Sequence, residues 1–227
     1  YLELVEPSVD VGIERLVAEG ATTIVVAPLL LFAAGHAKRD VPRAIDAARA
    51  RFPQVEFVQA DHLGCHERLL ELSAHRFEAA KRLVDTNDGG DDAEPRRSTG
   101  GCLWIVVGRG SLDATALEEM ERFARLRAAR TDVTDWRVCY LAMAKPTLAE
   151  MLAEAAELPY DRVVVQPHLL FAGELLGAIR LQVAERSRQQ SWRDWRLCDH
   201  LGPDRAVADA VLSRVREAAG TRVESVS

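Results

Sequence analysis

Aromatic residues make up only 6% of these 227 residues, methionine appears three times and cysteine four times. The cysteines, Cys65, Cys102, Cys139 and Cys198, stand far apart and never form a C-x-x-C pair. That spacing offers no local zinc knuckle or iron–sulfur loop and reads as four free thiols buried in the fold. No apolar run approaches the roughly 18 residues that a membrane-spanning helix requires. An excess of basic charge is also missing: 29 Lys and Arg stand against 35 Asp and Glu, a net charge of -6. Such a balance argues against nucleic acid as the main partner. The expectation is a cytoplasmic protein with neither a nucleic-acid nor a membrane partner. What is abundant is aliphatic: 48% of the chain is hydrophobic, dominated by Ala, Val and Leu. At this length that supports an α/β architecture with one large core or two smaller ones.

Self-comparison divides the chain. Shifted by 139 positions, "YLELVEPSVDVGIERLVAEGATTIVVAPLLLFA" falls on "YLAMAKPTLAEMLAEAAELPYDRVVVQPHLLFA" without a gap. Tyr1 then lies on Tyr140, Pro7 on Pro146, Pro28 on Pro167 and Leu30-Leu31-Phe32 on Leu169-Leu170-Phe171. After a one-residue deletion Gly35 matches Gly173, and "DHLG" at Asp61 matches "DHLG" at Asp199. Two copies of one α/β unit are therefore expected, at 1–84 and 102–227. The Gly- and Asp-rich stretch 85–101, almost free of apolar residues, reads as a flexible linker. The second copy opens with "CLWIVVGRGSLD", a strand into a Gly-x-Gly-Ser turn, and a charged helix at about 114–130. No counterpart precedes Tyr1-Leu-Glu-Leu, which itself reads as the inside of a strand. The first unit is thus expected to lack its first strand and helix, through truncation.

Periodicity fills in the rest. Val9, Ile13, Leu16 and Val17 make a helical stripe, "TTIVVAPLLLF" and "VEFVQA" read as buried strands, and 41–51 and 65–84 read as helices. Strand and helix alternate, as in parallel sheets with helices on both faces. In such folds ligands bind outside the carboxyl ends of the strands.

Several side chains fall at those ends. His36, after Gly35, suits either a structural hydrogen bond or a functional role, since an imidazole can bind a divalent metal or accept a proton. Asp40 reads as the cap of the helix that begins at Val41-Pro42. Glu3 is replaced by Ala142 in the second copy, so the scaffold does not require a carboxylate there. His36 is replaced by Glu174, which alternatively is an ordinary acidic residue of a helix start. Arg109, in "GRGS", is placed to bind a carboxylate bidentately or to lie solvated in its turn. His168 stands where the first copy has Leu29, and reads as a core histidine or a ligand contact. His62 and His200 recur in both "DHLG" turns and read as structural. "GRGS" lacks the third glycine of a dinucleotide turn and the lysine of a phosphate loop.

The run from Tyr1 to Ile45, above all "GHAKRD-P" at its end, resembles the core of the sirohydrochlorin chelatases, ATP-independent enzymes that insert cobalt or ferrous iron into sirohydrochlorin. "VVVQPHLLFAGEL" is similar to the second half of their two-domain bacterial members, and the resemblance spans the chain apart from the linker. It implies two tandem Rossmann-like, chelatase-like units facing each other across a tetrapyrrole cleft, and a lyase of cobalamin or siroheme biosynthesis. In that family a His of a "GHGS" turn, the Glu of "LE" and the His of "GH" meet at the metal. Here the last two are Glu3 and His36, the implied metal and catalytic residues. The first His is expected before Tyr1, and Arg109 holds its place in the second copy. Co²⁺ or Fe²⁺ is then a substrate and no organic cofactor is implied. Arg109, Lys38, Arg39, Glu174 and His168 become candidate contacts to the anionic tetrapyrrole, with Arg43, Lys145 and Arg180 as further basic candidates. Two alternatives stay open: a non-catalytic tetrapyrrole- or metal-binding protein derived from a chelatase, and an unrelated doubly wound module that binds an anionic metabolite near "GRGS".

Overall fold

The computed structural model describes residues 7–33, 36–82 and 100–220, with 36 and 37 described by their backbone alone. The order is α1 (Val9–Ala18), β1 (Thr23–Val26), a π turn at His36–Asp40, α2 (Val41–Arg51), β2 (Glu56–Gln59), α3 (Glu67–Arg82), β3 (Cys102–Gly108), α4 (Ala114–Ala128), β4 (Asp135–Tyr140), α5 (Leu148–Glu157), β5 (Arg162–Pro167), α6 (Glu174–Gln189), β6 (Asp194–Leu197) and α7 (Arg205–Gly220). Each strand pair is parallel, as an alternating α/β chain requires.

The duplication is visible in the boundaries of several elements. Val9 and Leu148 start α1 and α5, 139 positions apart, and Ala18 and Glu157 end them. Past the deletion, α3 and α7 begin at Glu67 and Arg205 and end at Arg82 and Gly220, 138 apart. Register repeats as well: Thr23 faces Glu56 in β1–β2, and Arg162 faces Asp194 in β5–β6. The "DHLG" turns close alike, with the Leu63 N–H donating to the Leu30 carbonyl and the Leu201 N–H to the Leu169 carbonyl, both at 2.9 Å.

Two local expectations are corrected. "TTIVVAPLLLF" is a strand only to Val26, and beyond it Leu30 turns its own N–H back to the Pro28 carbonyl. Asp40 does not cap α2 with its side chain. The helix instead begins earlier, through the π turn at His36–Asp40. Pro42 cannot donate to the carbonyl four residues back, and its ring crowds that carbonyl, so the turn widens. The equivalent of Pro42 is Arg180, which has an N–H, and α6 runs as a regular helix from Glu174.

The chain packs as two compact units, one from 1–66 with 205–227 and the other from 67–204. The repeat boundaries of the sequence and these packing boundaries differ by one exchanged helix each. In the first unit α7, from the second repeat, packs on β1 and β2, and Arg214 Nη2 donates to the Leu63 carbonyl at 3.3 Å. Ile13, Ile24, Ile45 and Phe57 form the core there.

The second unit carries a four-stranded sheet in the order β4-β3-β5-β6. Its central strands β3 and β5 are buried on both faces, which explains their near-continuous aliphatic runs. On this sheet lies α3, from the first repeat. Its Phe77 ring and the Trp104 ring of β3 sandwich the fully buried Arg127 guanidinium, at 4.2 and 3.8 Å. Burial pulls the Arg127 pKa down to about 10. Gln166 accepts from Trp104 Nε1 at 2.9 Å, and its Nε2 donates to the Ser73 carbonyl of α3 at 2.9 Å. These contacts offset part of the cost of burying a cation. All four cysteines are free, Cys139 and Cys198 buried and the other two half-buried.

Candidate functional site

In the second unit the carboxyl edge of the sheet is built from the loops after β3, β4 and β5. The first, Arg109 to Asp113, is joined by its backbone to the second: the Leu141 N–H donates to the Gly108 carbonyl and the Ala142 N–H to the Arg109 carbonyl, both at 3.0 Å. Gly110, at φ +95°, makes this approach possible, because a Cβ there would lie 1.7 Å from the Ala142 carbonyl oxygen. Asp113 then closes the loop, accepting from the Thr115 N–H at 3.0 Å as the N-cap of α4. Arg109 is held at the tip with its side chain exposed. Beneath the loop Tyr140 is buried, and that burial pushes its phenol up to about 12.

Arg109 and Ala142, the second-repeat counterparts of the expected turn histidine and of Glu3, are therefore backbone neighbours. Glu174 opens α6 after β5, exposed, behind a Gly173 that supplies no side-chain cap. His168 behaves differently. It follows β5 directly, donates its backbone N–H to the Val107 carbonyl and is 2% exposed, with its ring 4.2 Å from that of Phe123. Burial drives its imidazole down to about 3, so it is neutral at physiological pH.

Lys38 and Arg39 lie exposed on the π turn of the first unit, and Arg43 and Arg180 are exposed on α2 and α6. Lys145 is engaged: its Nζ lies 2.6 Å from Glu150 Oε1, and it is the main reason that the Glu150 carboxyl falls to about 2. Glu150 also completes a capping box with Thr147. Glu3, Gly35, the His36 side chain and residues 85–99 of the expected linker lie outside the described residues. Among the described residues no three His, Cys, Asp or Glu stand close enough to hold a metal ion, and no helix is long and apolar enough to cross a membrane.

Three features of this edge are not legible from composition. Leu112, Met143 and Phe171, one on each loop, are large apolar side chains exposed to solvent. Met143 has φ +61°, a left-handed conformation unusual for any residue but glycine, asparagine or aspartate. The repeat offers one signal, Phe171 being the counterpart of Phe32.

The CbiX family model matches residues 1–80 and 103–218. The chain belongs to this family, that of the sirohydrochlorin chelatases. The sirohydrochlorin ferrochelatase of Priestia megaterium is 31% identical over 217 residues, covering 95% of this chain and 75% of the relative. A sirohydrochlorin cobaltochelatase from the same organism is 30% identical over 202 residues, with 89% and 62% covered. Among solved structures, SirB from Bacillus subtilis with Fe³⁺ superposes at a TM-score of 0.83 with 29% identity, over 97% of this chain and 81% of that one. SirB from Bacillus subtilis subspecies spizizenii in complex with cobalt gives 0.77 and 28%, over 96% and 79%. The matched residues of the CbiX family model include both Glu3 and the "GHAKRD" segment.

Proposed function

We propose that this chain inserts a divalent metal, Co²⁺ or Fe²⁺, into sirohydrochlorin without ATP, as a cytoplasmic enzyme of cobalamin or siroheme biosynthesis. The observation that carries this reading is the extent of the kinship: a relative named as a sirohydrochlorin ferrochelatase matches 95% of this chain, and the CbiX family model matches both repeats.

The chemistry follows from the donor set. Four metal–nitrogen bonds form as two pyrrole N–H bonds break, so two protons must leave for each dication that enters. The His36 imidazole holds the incoming ion weakly enough to hand it on. The Glu3 carboxylate offsets the ion's charge and takes up the two pyrrole protons in turn, releasing each to water. In this reading the two repeats divide the work. Ala142 offers no donor where the first repeat has Glu3, and Arg109 no metal ligand where a histidine is expected, so metal handling falls to the first repeat. Arg109, Lys38 and Arg39 bind the substrate's peripheral carboxylates. Glu174, at the start of α6, is a further substrate contact in this reading, and His168, neutral and packed on Phe123, supports the β5 loop.

Metal insertion is followed through the absorbance of sirohydrochlorin with Co²⁺ or Fe²⁺. Multiple turnover is expected, and His36→Ala should lower kcat by about 100-fold or more while circular dichroism stays unchanged. Wild-type rates in the His36→Ala protein overturn the site assignment. Stoichiometric binding without turnover by the wild type would identify a binding protein instead.

A further inference from the structure

The three exposed apolar side chains stand on loops at one edge of one sheet. Leu112 is 86% exposed, Met143 50% and Phe171 61%. Their loops follow β3, β4 and β5, which are neighbours in the sheet. Backbone hydrogen bonds join the first loop to the second through Arg109 and Ala142, and the third to β3 through His168 and Val107. Single exposed apolar residues are commonplace, but three on adjacent loops at a ligand-binding edge mark a contact surface.

Two further observations bear on its occupant. Met143 is held at φ +61° next to the Ala142 contact, a conformation that costs energy and tends to persist where a side chain must be presented in one direction. Arg109, exposed on the Leu112 loop, supplies a cation beside the apolar group. Lys145 is already paired with Glu150, and of the acidic groups at this edge Asp113 is engaged as the N-cap of α4 and Glu174 opens α6. An apolar surface with a guanidinium at its margin complements a flat conjugated ring that carries carboxylates on its periphery.

We propose that Leu112, Met143 and Phe171 form the bed on which one face of the tetrapyrrole rests, with Arg109 gripping a peripheral carboxylate. The second repeat then acts as a substrate holder rather than a degenerate remnant. This inference rests on the sirohydrochlorin reading above.

The test is a titration of metal-free sirohydrochlorin, followed by its absorbance, against wild type, the Leu112→Ser/Phe171→Ser double variant and a Leu181→Ser control. Leu181 is equally exposed, at 73%, but lies on α6 outside the three loops. The double variant should raise Kd and KM by about tenfold or more with a much smaller change in kcat, and the control should match wild type. All three sites are exposed, so folding is expected to survive, and circular dichroism checks this. Unchanged Kd in a folded double variant overturns the bed. So does a change from dimer to monomer in light scattering at unchanged Kd, which would make the surface a contact between two copies. A wild type that binds sirohydrochlorin through these residues but never inserts metal refutes the proposed function and leaves the bed standing. A wild type that binds no sirohydrochlorin refutes both.

Discussion

Individual side chains in this protein answer to two different demands, and Gly110 and Met143 separate them. Gly110 is dictated by space: a methyl group would overlap the Ala142 carbonyl. Gly110→Ala should destabilise the protein by about 3 kcal/mol, read as a fall in the urea midpoint, and should part the two loops that present Arg109. Met143 is the opposite case. At φ +61° glycine is the relaxed residue, so Met143→Gly should leave Tm unchanged or higher, whereas glycine at an ordinary position costs about 0.5–1 kcal/mol. A clear drop in Tm would mean that the left-handed turn is not strained.

His168 makes a prediction about acid. Its imidazole titrates near 3 when folded, against 6.5 unperturbed, so as pH falls the unfolded chain takes the proton first. Its effect on stability is constant above about pH 6.5. Below that, up to about 1.4 kcal/mol is lost per pH unit until the folded value is reached. His168→Leu, which installs the residue of the first repeat, should narrow the gap in urea midpoint between pH 7 and pH 4.5. An equal gap in both proteins would show that His168 is not the group responsible.

Among elements, the segment from the π turn through α2, 36–51, and helix α6 show how one difference in sequence reshapes a duplicated motif. They align end to end, yet one begins with a π turn and the other with a regular helix, and Pro42 against Arg180 accounts for it. Helix α3 shows a different control. Its amphipathic pattern announces a helix, but its attachment to the second sheet depends on Arg127 lying between Phe77 and Trp104. Arg127→Ala should cost about 3 kcal/mol through the cavity and the lost cation–π contacts. Arg127→Lys should not restore it, because an ammonium cannot stack as a planar guanidinium does. Wild-type stability in Arg127→Lys would refute that account.

For the whole molecule, the exchange of α3 and α7 means that neither compact unit is built from one repeat alone: the stretch 67–204 takes in α3 of the first repeat, and the other unit takes α7 of the second. A protease site placed within 85–101 should therefore leave a nicked protein whose fragments co-elute in native buffer and separate only in denaturant. Fragments that part without denaturant, each with its own cooperative melt, would contradict the exchange.

The sequence by itself determined the parallel α/β class, the duplication, helices at 41–51 and from 114, and the family. Each rests on local periodicity, or on the internal match between residues such as Pro28 and Pro167. It also singled out Arg109 and Ala142 as paired positions. What only the tertiary structure decided was which sheet each repeat's last helix covers, that His168 is shut in the core, and that Leu112, Met143 and Phe171 share one edge. Periodicity tells a residue which side of its own element to bury. It carries no information about which distant element will do the burying, and that is settled by packing over the whole chain.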